Sequence, residues 1–291
     1  MMHGRMRLAI LLTMTCVGCT ETAISVSPDD VQPETALGES FDPAATGTIQ
    51  GRVVWDGDIP DAKEEIVRAI AFKPNSHKIP LRFTTPHVPQ VHKDNRGVSG
   101  AVVFLRGVDP RRAKAWDHAP VRVEFHARRL EVQQGTHRGP VGFVRRGSRF
   151  EIVNRDADYH NLHGRGAAFF AAPIIKGQAP QTRQASKEGI VDLTCGAGYF
   201  WMHAHLFVTE HPYFARTDAD GRFSLNQVPA GSYEVVSWLP SWRVEQKQRD
   251  PEMSVVVRWI WQAPREQVRT VHVDPGRVSE VEYRWTARRF E

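Results

Sequence analysis

Residues 199–210, YFWMHAHLFVTE, alternate with a period of two. Phe200, Met202, Ala204, Leu206 and Val208 take one face; Tyr199, Trp201, His203, His205 and Phe207 take the other. That is the period of a strand, whose successive side chains point to opposite sides. The pattern recurs along the chain. TIQGRVVWDGDIP (48–60) alternates and turns at Asp56-Gly57, and VSGAVVFLRG (98–107) has the continuous apolar core of a buried strand. VRVEFHARRLEV (121–132) alternates until about Ala127, and FVRRGSRFEIVN (143–154) reads as a hairpin turned at Gly147. VDLTC (191–195) is a strand ended by Gly196-Ala197-Gly198, and the Gly/Ala/Pro/Gln-rich stretch 164–186 reads as a connection. No amphipathic helical repeat interrupts these runs, so an all-β chain is expected.

The first 47 residues behave differently. Residues 1–19 have a basic start (His3, Arg5, Arg7), an apolar run from Leu8 to Val17, and the ending Val17-Gly18-Cys19. This is the pattern of a secretory signal, and the apolar run is too short to span a bilayer. The ending resembles a bacterial lipoprotein signal, with Cys19 as the lipidated residue, although Cys16 stands where such signals usually carry Leu. Residues 20–47, rich in Ser, Thr, Pro, Asp and Glu, read as a disordered tether. The expected setting is therefore exported, periplasmic or on the outer surface, held to the membrane through a lipid anchor.

Composition narrows the partners. Hydrophobic content of 41% and charged content of 24% suit a folded protein rather than a disordered one. The formal charge of +5 falls to about +3 without Arg5 and Arg7, and the basic residues do not cluster, so no nucleic acid partner is expected. Cys195 is the one cysteine outside the leader, which leaves no disulfide framework. The chain carries no G-x-S-x-G, H-E-x-x-H or phosphate-cradling glycine loop, and Ser186 and Asp192 form no triad with the histidines at any defensible spacing. The reading is of a protein that is not an enzyme.

The residues that could carry chemistry lie between 150 and 213. His160 and His163 form one pair on an expected loop, and His203 and His205 form another; Cys195 and Met202 lie close by in sequence. Thiolate, imidazole and thioether together suit copper, because such a set holds Cu(I) and Cu(II) with little rearrangement. An H-x-H on a strand places both rings on one face. Each residue also has an ordinary reading. Met202 sits on the apolar face as core would, Cys195 fits a buried inert thiol, and His163 and His205 could simply bond backbone. His77, His87 and His92, scattered in an irregular segment, read as surface residues. Asp218, Asp220 and Gly221 read as a tight turn rather than a calcium loop, since no later Glu follows.

After His211-Pro212 the strand and turn pattern resumes through ARTDADGRFSLNQVPAGSYEVVSWLPSW, SVVVRWIWQ (254–262), QVRTVHV (267–273) and SEVEYRW (279–285), with Pro275-Gly276 turning the last hairpin. Here a resemblance enters. NRDADYHNLH (154–163) resembles the first-histidine motif of the cupredoxin (plastocyanin/azurin-like) family, and LTCGAGYFWM (193–202) resembles its Cys–His–Met loop. HPYFARTDADGRFSLNQVPAGSY (211–233) resembles the carboxypeptidase regulatory-like (transthyretin-like) module.

The resemblance implies an all-β fold with a cupredoxin-like Greek-key sandwich (48–210) followed by a smaller transthyretin-like β-sandwich (211–291). It implies His160 as first imidazole, Cys195 as thiolate and Met202 as axial thioether around copper, with a redox partner protein in the envelope. The departure is that relatives carry a histidine three or four residues after the cysteine, where this chain has Gly198 and Tyr199. Either His203 or His205 replaces it, or copper sits among His160, His163, His203 and His205. The alternative is a metal-free cupredoxin-fold scaffold at the envelope.

Overall fold

A computed structural model describes residues 40–67, 81–252 and 254–291. The leader with Cys19, most of the expected tether, and His77 lie outside the described residues. The last residues of that tether are structured. Asp42 caps a short turn at Pro43–Ala45 by accepting the Ala44 N–H, and the strand Thr46–Trp55 begins at once.

As the two-residue periods require, the described chain is all-β, arranged as two sandwiches. In the first, one sheet orders Val141–Arg145, His203–Thr209, Gly189–Cys195, His160–Gly166 and Phe170–Ile174. The other orders Gln181–Gln184, Arg149–Asn154, Val121–His126, Arg129–Gln134 and His137–Gly139. The chain crosses repeatedly between the two sheets. Between them lie Val123, Phe125, Phe150, Ile152, Leu162, Leu193, Ala204 and Leu206, all buried.

The second sandwich takes strands from both ends of the chain. Thr46–Trp55 runs antiparallel to Arg222–Pro229 and parallel to Val278–Trp285. Val102–Arg106 lies between Phe214–Arg216 and Gly231–Leu239, with Arg265–Val273 beyond. Its core joins Ile49, Val53, Trp55, Val103 and Leu105 to Leu225, Val235, Tyr283 and Trp285. The expected division at residue 210 therefore does not separate the sheets, and the first sandwich is an insertion within the second. Apolar patterning marks a strand but carries no record of its distant partner.

A third apolar cluster joins the sandwiches: Val141, Phe143 and Phe207 from one meet Val102, Phe104, Phe214, Val236 and Trp238 from the other. Burying each large side chain there stabilises the joint by about 1.5–3 kcal/mol. The antiparallel strand pairs 64–67/81–84 and 244–249/256–261 pack against the first sandwich, where Phe83 stacks on Trp201 at 4.4 Å and Trp259 meets Phe200 at 4.9 Å.

Local differences from the expected strands have simple causes. The run 121–132 is two strands, because Ala127 and Arg128 both adopt positive φ (50° and 56°) and close a two-residue hairpin turn. Residues 143–154 are not a hairpin: Val141–Arg145 pairs with His203–Thr209 while Arg149–Asn154 pairs in the opposite sheet, so Gly147 turns the chain between layers. The Pro275-Gly276 turn likewise joins strands that pair in different sheets. His160 opens a strand instead of lying on a loop, and the connection 164–186 contains Phe170–Ile174 and Gln181–Gln184. The alternation read over 199–210 is kept only from Met202 onward. Residues 199–201 form a turn that puts Tyr199, Phe200 and Trp201 all in the first core.

Candidate metal centre

The central sheet of the first sandwich divides the expected ligands between its two faces. In Gly189–Cys195 the residues Val191, Leu193 and Cys195 face the core, so Asp192 and Thr194 face the other way. In His160–Gly166, His160 and Leu162 face inward while His163 and Arg165 face out. In His203–Thr209, Ala204, Leu206 and Val208 join the core, and His203, His205 and Phe207 take the outer face.

The inner face holds the pair the resemblance implies. Leu162 pairs with Cys195 across the ladder, which sets His160 Nδ1 3.5 Å from Cys195 Sγ. His160 is fully buried, stacked on Phe125 at 4.3 Å, with the Tyr199 ring 4.7 Å from its own. Its Nε2 donates to Asp156 Oδ2 at 3.0 Å, and that carboxylate also accepts the Arg128 N–H from the positive-φ turn. Burial works against the Asp156 charge, but His160 and the backbone donors outweigh it and lower the pKa. His160 Nδ1 is hydrogen-bonded to the Cys195 thiol. Burial pushes that thiol up, beyond what the neighbouring backbone groups recover, so the neutral form is favoured. Met202 is buried in the same core. His203 and His205 lie on the outer face and do not replace the missing imidazole, and the Tyr199 ring packs against that of His160. Burial also raises the Tyr199 phenol, keeping it protonated.

The outer face carries a different group. Asp192 lies opposite His205 in the antiparallel ladder, and Thr194 lies opposite His203. One ligand atom from each of Asp192, His203 and His205 lies within 4.8 Å of the other two. His203 Nε2 bonds Asp192 Oδ1, and His205 Nε2 lies 4.0 Å from the same oxygen. His87, held at φ 65°, reaches in from its loop, with Nε2 2.8 Å from His203 Nδ1 and its ring 5.2 Å from that of His205. Trp261 lies parallel to His203, and the Trp238 ring stands edge-on to His205 at 5.1 Å. Among the described residues His87 Nδ1 and His205 Nδ1 are buried without a hydrogen-bond partner.

The charge states suit a cation. Burial lowers His205 to about 3, with His203 adding to the shift and Asp192 opposing it. His87 is lowered well below its ordinary value by burial, then by His203 and His205. Asp192 is brought down to about 2: burial opposes its charge, but the His203 hydrogen bond and then the fields of His203, His205 and Arg258 prevail. At neutral pH His87 and His205 are thus neutral imidazoles near an ionised carboxylate, the forms that bind metal. The Asp192 side chain is 40% exposed, which leaves a route for an ion.

No family model matches the chain, and no curated protein matches it. Solved structures similar to part of it include the copper-containing nitrite reductase NirK from Thermus scotoductus SA-01, at 20% identity over 33% of this chain and 24% of that one, with a TM-score of 0.24. Another is a purple cupredoxin from Nitrosopumilus maritimus, at 14% identity over 31% of this chain and 98% of that one, also with a TM-score of 0.24. A third is the Cu(I) form of an amicyanin mutant, at 20% identity over 36% and 97%, again with a TM-score of 0.24. The chain spans about a quarter of the nitrite reductase.

His163 joins neither group as a ligand. Its ring lies over Gly196, where an added Cβ would sit 2.2 Å from His163 Cε1. Two members of the outer cluster went unread in the sequence. Asp192 had a signal: pairing 189–195 antiparallel to 203–209 about the Gly196–Gly198 turn sets it beside the H-x-H face. His87 had none, because a loop brings it in from more than a hundred residues away.

Proposed function

We propose that the chain holds a copper ion, as Cu(II), on the sheet face carrying Asp192, His203 and His205, with His87 beside them. The observation that carries this reading is a carboxylate kept ionised near two buried, neutral imidazoles, His87 and His205, each with a ring nitrogen that has no hydrogen-bond partner among the described residues. A nitrogen-and-oxygen donor set suits Cu(II), which stands at the top of the divalent affinity order for such ligands. Fast electron transfer would need a thiolate with two imidazoles. The inner pair offers a protonated thiol and a single imidazole. The function favoured is therefore holding copper rather than passing electrons.

The leader read in residues 1–19 supports placing this protein at the cell envelope, anchored through Cys19. Its envelope partner would then deliver or receive the ion. The second sandwich serves as the platform whose Trp238 closes over His205. One observation favours the metal-free scaffold as a second reading: the hydrogen-bonded chain His87–His203–Asp192 is complete without an ion.

A Cu(II) titration of the purified protein against a competing chelator separates the readings. One weakly coloured ion per chain is expected, retained in Cys195→Ala and weakened at least about tenfold in His203→Ala and in His205→Ala. An intense blue band lost in Cys195→Ala would return the copper to the inner pair. An absence of stoichiometric binding would leave the scaffold.

A further inference from the structure

The outer face that carries the metal cluster also carries two guanidinium groups, each with a buried nitrogen that has no hydrogen-bond partner among the described residues. Arg165 lies opposite Asp192 in one ladder, as His205 does in the next, so Arg165, Asp192 and His205 form one row across three strands. His163, Thr194 and His203 form the adjacent row. Arg165 Nη1 is buried and has no hydrogen-bond partner. Arg258 comes from the strand Val256–Trp261, whose Trp261 lies along His203, and its Nε is likewise buried and unpartnered. Among the described residues neither arginine makes an ion pair within 4.0 Å, and Asp192 Oδ1 is paired with His203 and His205 instead.

These groups act on one another. Burial lowers Arg258, the Arg165 charge lowers it further, and Asp192 opposes both. His163 is lowered by burial and then by Arg165 and Arg258. A single carboxylate thus faces two guanidinium cations. A buried guanidinium N–H left unpaired carries a desolvation penalty, and charged oxygen is the partner its planar fork fits best.

We propose that Arg165 and Arg258 seat a small oxyanion, a carboxylate or a phosphate, on the face beside the Asp192–His203–His205 cluster. The anion balances the two guanidinium charges and closes the exposed side of the metal site. His163 borders the seat as a neutral donor. The seat rests on the metal reading only for the anion's position next to copper; the unpaired arginines stand without it.

The test uses the full chain, with inorganic phosphate and acetate as separate probes at constant ionic strength. In the metal-free protein, each anion's saturable rise in melting temperature gives an apparent affinity. Arg165→Gln and Arg258→Gln are each expected to weaken it at least about tenfold while the far-ultraviolet circular dichroism stays that of the parent. Tighter binding of acetate assigns the seat to carboxylates, and tighter binding of phosphate assigns it to phosphates. Equal binding by the parent and the Arg165→Gln/Arg258→Gln double variant overturns the proposal.

In the copper-loaded protein, acetate is expected to shift the electron paramagnetic resonance of Cu(II) in the parent but not in the double variant. A copper signal indifferent to acetate in the parent overturns the placement beside the metal. Arginine-dependent anion binding in a protein that takes up no copper would keep the seat and remove only the metal reading.

Discussion

A phenol stands at position 199, four residues after Cys195, where the sequence resemblance leads one to expect an imidazole, and its ring lies 4.7 Å from that of His160. Cys195 is 3.5 Å from His160, and Met202 is buried in the same core. One substitution therefore probes why the site differs. Tyr199→His is expected to give a blue thiolate-to-copper band on Cu(II) addition that the parent lacks, checked by visible absorption; a colourless variant would mean that burial of the thiol, not Tyr199, is what excludes copper. Glu124 tests a second residue-level feature. Its carboxylate is fully buried, with Arg155 at 3.1 Å and Arg138 at 3.0 Å. Burial disfavours its charge, yet the two guanidinium groups prevail and its folded pKa is lowered. A depressed folded pKa gives stability that is complete above the unfolded value of about 4.3 and is lost as pH falls through the folded one. Glu124→Gln is expected to cost about 2 kcal/mol at pH 7 and to flatten the acid limb of stability, measured by urea denaturation from pH 7 to pH 3. An unchanged acid limb would assign it to other carboxylates.

At the scale of elements, the two-residue period made nearly every strand of the candidate site legible, because each has one face in a core. Val191, Leu193 and Cys195 announce their strand, and Ala204, Leu206 and Val208 announce the next. Which strands pair was not legible. Arg145 and Arg149 flank what looks like a hairpin turn, yet their strands belong to opposite sheets. The turn at Ala127-Arg128 was hidden for another reason: neither residue is a usual choice for positive φ, so the sequence shows only a fault in the alternation. That mismatch is testable. Replacing Ala127 with Asn and Arg128 with Gly is expected to stabilise the protein by about 0.5–1 kcal/mol, seen as a higher urea midpoint at unchanged slope. The His160–Asp156 contact should persist, since Asp156 accepts from the Arg128 backbone and not its side chain. A lower midpoint would show that the Arg128 side chain, with its ion pair to Asp158, matters more than the turn.

For the whole molecule, the insertion of one sandwich into the other has a direct consequence. Residues 211–291 lack Thr46–Trp55 and Val102–Arg106, each of which pairs on both sides within the second sandwich. Expressed alone, 211–291 is expected to show no cooperative thermal transition by circular dichroism; a sharp transition would mean that the N-terminal strands are dispensable. The same closure brings the His87 loop and Trp261 over His203 and His205, and this is why the outer cluster could not be assembled from local patterning. Two candidate metal positions thus lie on opposite faces of one sheet, one with sulfur and one without. X-ray absorption at the copper edge of the Cu(II)-loaded full chain distinguishes them most directly. The account predicts nitrogen and oxygen neighbours at about 2.0–2.2 Å with imidazole outer-shell scattering and no sulfur, as the donor set Asp192, His203 and His205 requires. A short copper–sulfur distance would place the ion at Cys195 and contradict it.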